Sequence, residues 1–404
     1  MLRLLAGLLL AAPAAAQGPF VLTDTRKNVH LDDFTLEPRN LGMEGAWSVT
    51  RRTLRGGRQE GVDSILLDTG RIQAEVLPTR GMSILRLVVD GRRLGWDSPS
   101  REVVHPSQID LERREGLGWL DGFNEWMVRC GLAWAGHPGT DSWTDAGGGE
   151  HEELLTLHGR IGNVPARQVV LEVEPGDPVK LHLRGIVEES SFGGPRLRLE
   201  TELVLTVGAS GWELRDRVTN LGAREQEFQL IYHGNYGVPF LGEGSEAVVA
   251  AASIMPMTPK AAAGLETWST YGPPTPGFEE EVFLIEPLAN GAGLTEALLM
   301  SPKRSLATTV QWSVEELPYF TLWKNTAAFE DGYVTGLEPG TSFPFNRSIE
   351  RAAGRVPTLA PGESRSFTLR YSVHMGQAAR LAAQRIRALQ ATAEPVMLPV
   401  PETD

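Results

Sequence analysis

The chain has 404 residues, 41% of them hydrophobic, and 51 acidic against 38 basic side chains give it a formal net charge of −13. So acidic a surface repels phosphate backbones, and no basic stripe interleaved with aromatics interrupts it, which argues against a nucleic-acid partner. A single cysteine, Cys130, excludes an internal disulfide framework and reads as a small buried hydrophobe.

The first element is a leader. Met1 to Ala16 combines a positive residue (Arg3), an apolar run from Leu4 to Ala12, and Ala14, Ala15 and Ala16 before Gln17. These are the charge, apolar core and small-residue cleavage site of a secretory signal peptide. The apolar run is short for a bilayer, and nothing later approaches a spanning length. The expected mature chain therefore starts at Gln17, carries no membrane segment and is periplasmic or secreted. Residues 17–62 read as an N-terminal extension.

Short strand-like runs follow, with little helical periodicity. They include Ser64–Leu67, Ile72–Leu77, Ser83–Val89, Gln168–Val173, Lys180–Val187, Arg196–Val207, Trp212–Thr219 and Glu227–Tyr232. Later come Glu281–Glu286, Ala307–Ser313, Tyr319–Trp323 and Ser366–Ser372. Gly, Pro, Asp or Asn bounds most of them, and Asp90-Gly91 tolerates the positive φ of a tight hairpin. The expectation is an all-β domain over 63–375, a large antiparallel β-sandwich. Gly116 to Glu150, rich in Gly, Trp and Asp with weak strand signals, reads as a long loop, which in a compact domain is either functional or a sign of misassigned elements. Within 376–404, Gln377–Ala391 is one amphipathic helix with Leu381, Ile386 and Leu389 on its apolar side. The tail from Glu394 is expected to be loose.

Polar residues interrupt strand-like runs in three places: His158-Gly159-Arg160, Tyr232-His233-Gly234-Asn235 and Glu338-Pro339. A lone histidine in a strand is more often structural than catalytic, and Glu before Pro is commonly a solvated strand end. Taken in this order, however, the three segments resemble the galactose mutarotase superfamily, the aldose 1-epimerases and their relatives. The nearest likeness is to its bacterial aldose 1-epimerase-like branch, and it runs from roughly Asp63 to Val373. That resemblance implies a galactose mutarotase-like sandwich and an isomerase that interconverts anomers of an aldose or modified hexose. It implies His233 as the general acid on the ring oxygen and Glu338 as the general base on the C1 hydroxyl. His158 would hold the sugar, with Arg160 beside it as a donor. The chemistry needs such a pair, because ring opening delivers one proton and removes another. It requires no cofactor and no metal. His151-Glu152-Glu153 with His158 imitates a metal cluster, but strand alternation puts His151 and Glu153 on one face and His158 on the other.

The chain departs from the superfamily in three respects. An Asn- and Arg-containing stretch near the N-terminus is missing, and Arg80 stands in the comparable region. No Glu-x-Gln follows the pattern at Glu338, and no aromatic pair follows His233. Lysis or hydrolysis of a glycoside, or sugar binding without catalysis, therefore remain alternatives on the same scaffold. Further candidate sugar contacts are Asn235, Trp323 and Lys324, then Asp121 and Asn124 (with Trp126) as a lid, and Arg347 as a ligand for an acidic sugar. Ten tryptophans against six tyrosines suit stacking on sugar rings as well as they suit core filling. The expected partner is a small-molecule carbohydrate. Protein recovered from its host should begin at Gln17; mass spectrometry that finds Met1 intact would refute the leader.

Overall fold

Two patterns of burial set the architecture. In the strand Gln168–Glu174, Val169, Leu171 and Val173 are buried while their neighbours are half-exposed, so one face packs and the other meets water. In Gln229–Tyr236 every residue is buried, which requires cover on both faces. The structure, a computed structural model, describes residues 17–144 and 148–402, so the expected leader Met1–Ala16 lies outside them. Among these residues the strands form a ten-stranded and a thirteen-stranded sheet. One apolar cluster, including Leu171, Leu199, Leu214, Leu230 and Leu322, draws on both sheets. Pairing is antiparallel almost throughout, and the expected β-sandwich is what forms. No helix among the described residues is long and apolar enough to cross a membrane.

Residues 17–62 are woven into both layers. Gln17–Asp24 pairs with Gln168–Glu174, while Phe34–Leu36 and Ser48–Thr53 extend the thirteen-stranded sheet outward from Asp63–Asp68. Gly116 to Glu150 is not one loop. It contains Met127–Leu132, buried at all six positions within the thirteen-stranded sheet, and one strand of the hairpin Gly139–Thr144 with Glu150–Leu155. A strand covered on both faces shows no alternation, which hid it from the sequence pattern.

The C-terminal helix spans Gln377–Gln390, close to expectation. Its buried stripe is Ala379, Ala382, Ala383 and Ile386, at helical i, i+3, i+4, i+7 spacing. Leu381 falls off that stripe and is 52% exposed. The tail beyond is not loose at its start. Val396–Met397 pairs in parallel with Ala251–Pro256, and the Leu398 amide donates to the Ile254 carbonyl at 2.9 Å. An uncovered sheet edge presents a row of unpaired backbone groups, and the tail satisfies some of them.

The sheets are tied through their interior by charge. Arg129, on Met127–Leu132, donates from Nε to Asp216, which lies on Gly211–Asn220 of the other sheet. Its Nη2 donates to Asp216 Oδ1 at 2.9 Å and to Thr201 Oγ1 at 2.6 Å. The Tyr232 hydroxyl also donates to Asp216, at 2.9 Å. Both charged side chains are at most 1% exposed. Removing one partner of a buried pair strands the other, so Asp216→Asn is expected to cost about 3–5 kcal/mol of stability. Urea unfolding checks this; a variant as stable as the parent would overturn it.

Candidate active site

Four neighbouring strands of the thirteen-stranded sheet build the site: Met127–Leu132, Gln229–Tyr236, Val334–Gly340 and Tyr319–Asn325. Alternation sends Leu230, Tyr232, Leu322 and Leu337 into the inter-sheet core. It sends Val128, Cys130, Ile231, Val334 and Trp323 to the opposite face, where a second apolar cluster forms. Backbone register pairs Gly234 with Leu337 and Ile231 with Gly340, which sets His233 across from Glu338 on that second face. His233 Nε2 lies 3.3 Å from Glu338 Oε1. The contact is close but not aligned as a hydrogen bond, because Glu338 Oε1 and His233 Nδ1 each lack a hydrogen-bond partner. Gly336 makes room for the carboxylate: a Cβ there would fall 2.1 Å from Glu338 Oε1.

His158 arrives by a different route. Its backbone is left-handed, with φ 58°, and its amide donates to the Gly136 carbonyl at 2.8 Å. The next residue must be glycine, since a Cβ on Gly159 would sit 2.2 Å from the Trp134 carbonyl oxygen. This turn clamps the motif onto Gly131, whose amide donates to the His158 carbonyl and whose carbonyl accepts from the Arg160 amide. The His158 ring then meets the His233 ring at 5.3 Å between centroids.

Aromatic rings close over the three polar groups. Trp119 lies 4.7 Å from His158, Phe123 5.3 Å from His233 and Trp323 5.5 Å from His233. His233 is 5% exposed, Glu338 2% and His158 8%. Burial pushes His233 down to about 4 and His158 well below its ordinary value. Burial, with the nearby Glu280 charge, holds the Glu338 carboxyl well above the carboxylate range. Glu280 is itself placed by a 2.7 Å hydrogen bond from Trp323 Nε1. Among the described residues no cluster of His, Cys, Asp or Glu could hold a metal ion.

A family model described as a domain of unknown function, DUF4432, matches residues 59–373. The chain belongs to that family. A solved structure from Klebsiella pneumoniae, of a protein proposed to be an aldose 1-epimerase, is 38% identical to it. That match covers 96% of this chain and 100% of the other, with a TM-score of 0.90. The likeness to the aldose 1-epimerase-like branch, read from the three motifs, is thereby borne out. A galactose mutarotase-like protein from Clostridium acetobutylicum is 15% identical, over 81% of this chain and 98% of the other, with a TM-score of 0.54. A galactose mutarotase related enzyme from Lactobacillus acidophilus is 12% identical, over 78% and 98%, with a TM-score of 0.51. At such identities these two establish the fold alone. No protein of curated function matches.

In this DUF4432 chain, then, His158, His233, Glu338 and Trp323 come together, and the other candidates brace the cover or serve elsewhere. Arg80 is buried with all five donors used: Nε and Nη2 reach Glu125, Nη2 also the Gly122 carbonyl, and Nη1 the Val104 carbonyl and Asn163. It thus anchors the Gly118–Gly122 turn that carries Trp119 and leads to Phe123. Asn235 braces the same segment, donating to the Glu125 and His233 carbonyls at 3.1 Å. Asp121 pairs outward with Arg113 and Arg114. Asn124 donates to the Ser100 and Glu102 carbonyls, and Trp126 packs in the inter-sheet core against Trp212 and Tyr371. Strand alternation turns Lys324 away from Trp323, into a bond with Glu281 at 3.1 Å. Arg160 is exposed over the Trp134 ring. Arg347 is buried against Asp141 and the Ala133 carbonyl, in a separate network.

Sequence reasoning missed Trp119, Phe123 and Glu280. Trp119 carried a signal, as a tryptophan in a glycine-rich segment, whereas Glu280 in Glu279-Glu280-Glu281 carried none. If Phe123 is the cover over His233, Phe123→Ala should speed modification of His233 by diethylpyrocarbonate. Peptide mass spectrometry reads the rate, and an unchanged rate would refute the cover.

Proposed function

We propose that the chain is an aldose 1-epimerase-like isomerase acting at C1 of an aldose or modified hexose. The observation that carries this reading is the His233–Glu338 pair, face to face at 3.3 Å with unpartnered polar atoms beneath the rings of Trp119, Phe123 and Trp323. His233 gives its proton to the ring oxygen while Glu338 takes the proton of the C1 hydroxyl. The bond between C1 and the ring oxygen breaks, and the aldehyde forms. Rotation about the C1–C2 bond and reversal of both transfers give the other anomer. No net proton is consumed, and the chemistry asks for no redox partner. Aromatic faces of Trp119, Phe123 and Trp323 supply apolar surfaces for the C–H faces of the sugar. The description of the 38%-identical Klebsiella pneumoniae protein as a proposed aldose 1-epimerase, together with the fold, supports this reading. From the Met1–Ala16 leader alone, we also propose that the protein acts outside the cytoplasm.

The two groups work as one titrating unit. Burial disfavours separated charges, so the pair holds a single proton between them over a wide pH range. The burial shifts favour that proton on Glu338, and its transfer to His233 across the 3.3 Å contact requires the polar sugar to stabilise the charged forms and bring the two groups into line. Turnover requires one proton on the pair. Below about pH 4 His233 gains a second proton and no acceptor remains. At high pH the last proton leaves and no donor remains, and the raised Glu338 carboxyl moves that limb above the ordinary carboxylate range. The expected profile is a bell with its acid limb near pH 4, measured by NMR as anomer equilibration of freshly dissolved α-sugars.

Glu338→Gln and His233→Asn should each lose about 10²–10⁴-fold in turnover while binding sugar nearly normally. His158→Asn should act mainly on affinity. Near-full turnover in Glu338→Gln would sink the mechanism, and cleavage products in the NMR assay would replace epimerisation with lysis or hydrolysis.

A further inference from the structure

A groove of about 880 Å³ opens beside the acid–base pocket, on the far side of one aromatic wall. Trp96 lines the groove and packs on Phe123 at 4.9 Å, and Phe123 in turn meets His233 at 5.3 Å. The turn Phe329–Asp331, which forms one lip, joins the strands that carry Trp323 and Glu338. The volume lies at the upper end of the roughly 300–1,000 Å³ typical of sites for drug-sized ligands, which is ample for several sugar units.

The lining mixes two kinds of surface. Phe329 and Val238 are each 55% exposed, and Phe329 leans one side on Tyr333 at 5.3 Å, which leaves apolar surface open to the groove. Around them the lining charges balance, Arg52, Arg86, Arg93 and Arg101 against Glu75, Asp97, Glu102 and Glu330, and several are paired. Arg86 donates to Glu75 at 2.6 Å, Arg93 to Asp97 at 2.6 Å and Arg58 to Glu102 at 2.8 Å. Such a surface has no excess charge to attract an anion or a cation. It instead presents donors next to acceptors, the pattern that vicinal hydroxyls match, while the open apolar side chains suit the C–H face of a pyranose.

We propose that this groove is a second carbohydrate site, which takes a neutral oligosaccharide. It extends the sugar reading of the neighbouring pocket without depending on catalysis there. Asn124, which borders the groove and adjoins Phe123 in the chain, links ligand contacts to the aromatic cover.

The test is isothermal titration calorimetry of the full mature chain. The probes are maltotetraose, cellotetraose and xylotetraose, with tetragalacturonate, glucose and galactose as comparisons. At least one neutral tetrasaccharide should bind, and more tightly than either monosaccharide. Phe329→Ala, at an exposed position, should weaken it roughly tenfold by removing the stacking face, and Arg93→Gln should weaken it too. Binding by tetragalacturonate alone, binding by none of the tetrasaccharides, or parental affinity in both variants would each overturn the proposal. Glu338→Gln should retain tetrasaccharide affinity, so failure of the acid–base mechanism and failure of the groove are read separately.

Discussion

The tie between Arg129 and Asp216 is the constraint on which the rest of the site depends. It crosses the interior of the sandwich and accepts a further hydrogen bond from Tyr232, the residue immediately before His233. Two charges removed from water are tolerated only where their hydrogen-bonding capacity is filled, and here Thr201 and the Met82 carbonyl complete it. Because side chains alternate along a strand, fixing Arg129 and Tyr232 inward fixes Val128, Cys130 and His233 outward. The charged network at the core thereby determines which face of the central strands becomes chemical.

That face is dry by construction. Trp119, Phe123 and Trp323 cover it, and the segment bearing the first two is held by Arg80 and Asn235. Low polarity around His233 and Glu338 is what moves both groups toward their neutral forms. The strand register sets them across one ladder rung, with His233 Nε2 and Glu338 Oε1 3.3 Å apart.

The sequence was most legible where a pattern had a single physical cause. Gln168–Glu174 alternates because one of its faces meets solvent, and it was read with its boundary nearly in place. Met127–Leu132 was invisible, since a strand buried on both sides carries no period and Arg129 interrupts its apolar run. His233, Glu338 and His158 stood out as polar residues in strand-like surroundings, with their order supplying the rest. Their companions did not: the importance of Phe123 and Glu280 lies in what they touch far along the chain, His233 for the one and Trp323 for the other, and nothing local encodes that. Lys324 shows the converse. Its neighbour Trp323 points into the pocket, so strand alternation carries Lys324 out of it.

The register between Gln229–Tyr236 and Val334–Gly340 has a wider consequence. Neighbouring strands stand about 4.7–4.9 Å apart, a spacing that the peptide group fixes and that side-chain substitution leaves untouched. The backbone separation beneath His233 and Glu338 is thus measured by a ruler common to every sheet, while the cover and the groove beside it hang from connecting segments. Drift among relatives can remodel those segments without recalibrating the spacing of the strands that carry His233 and Glu338. A scaffold of this kind inherits the spacing of its polar pair and acquires the surface around it.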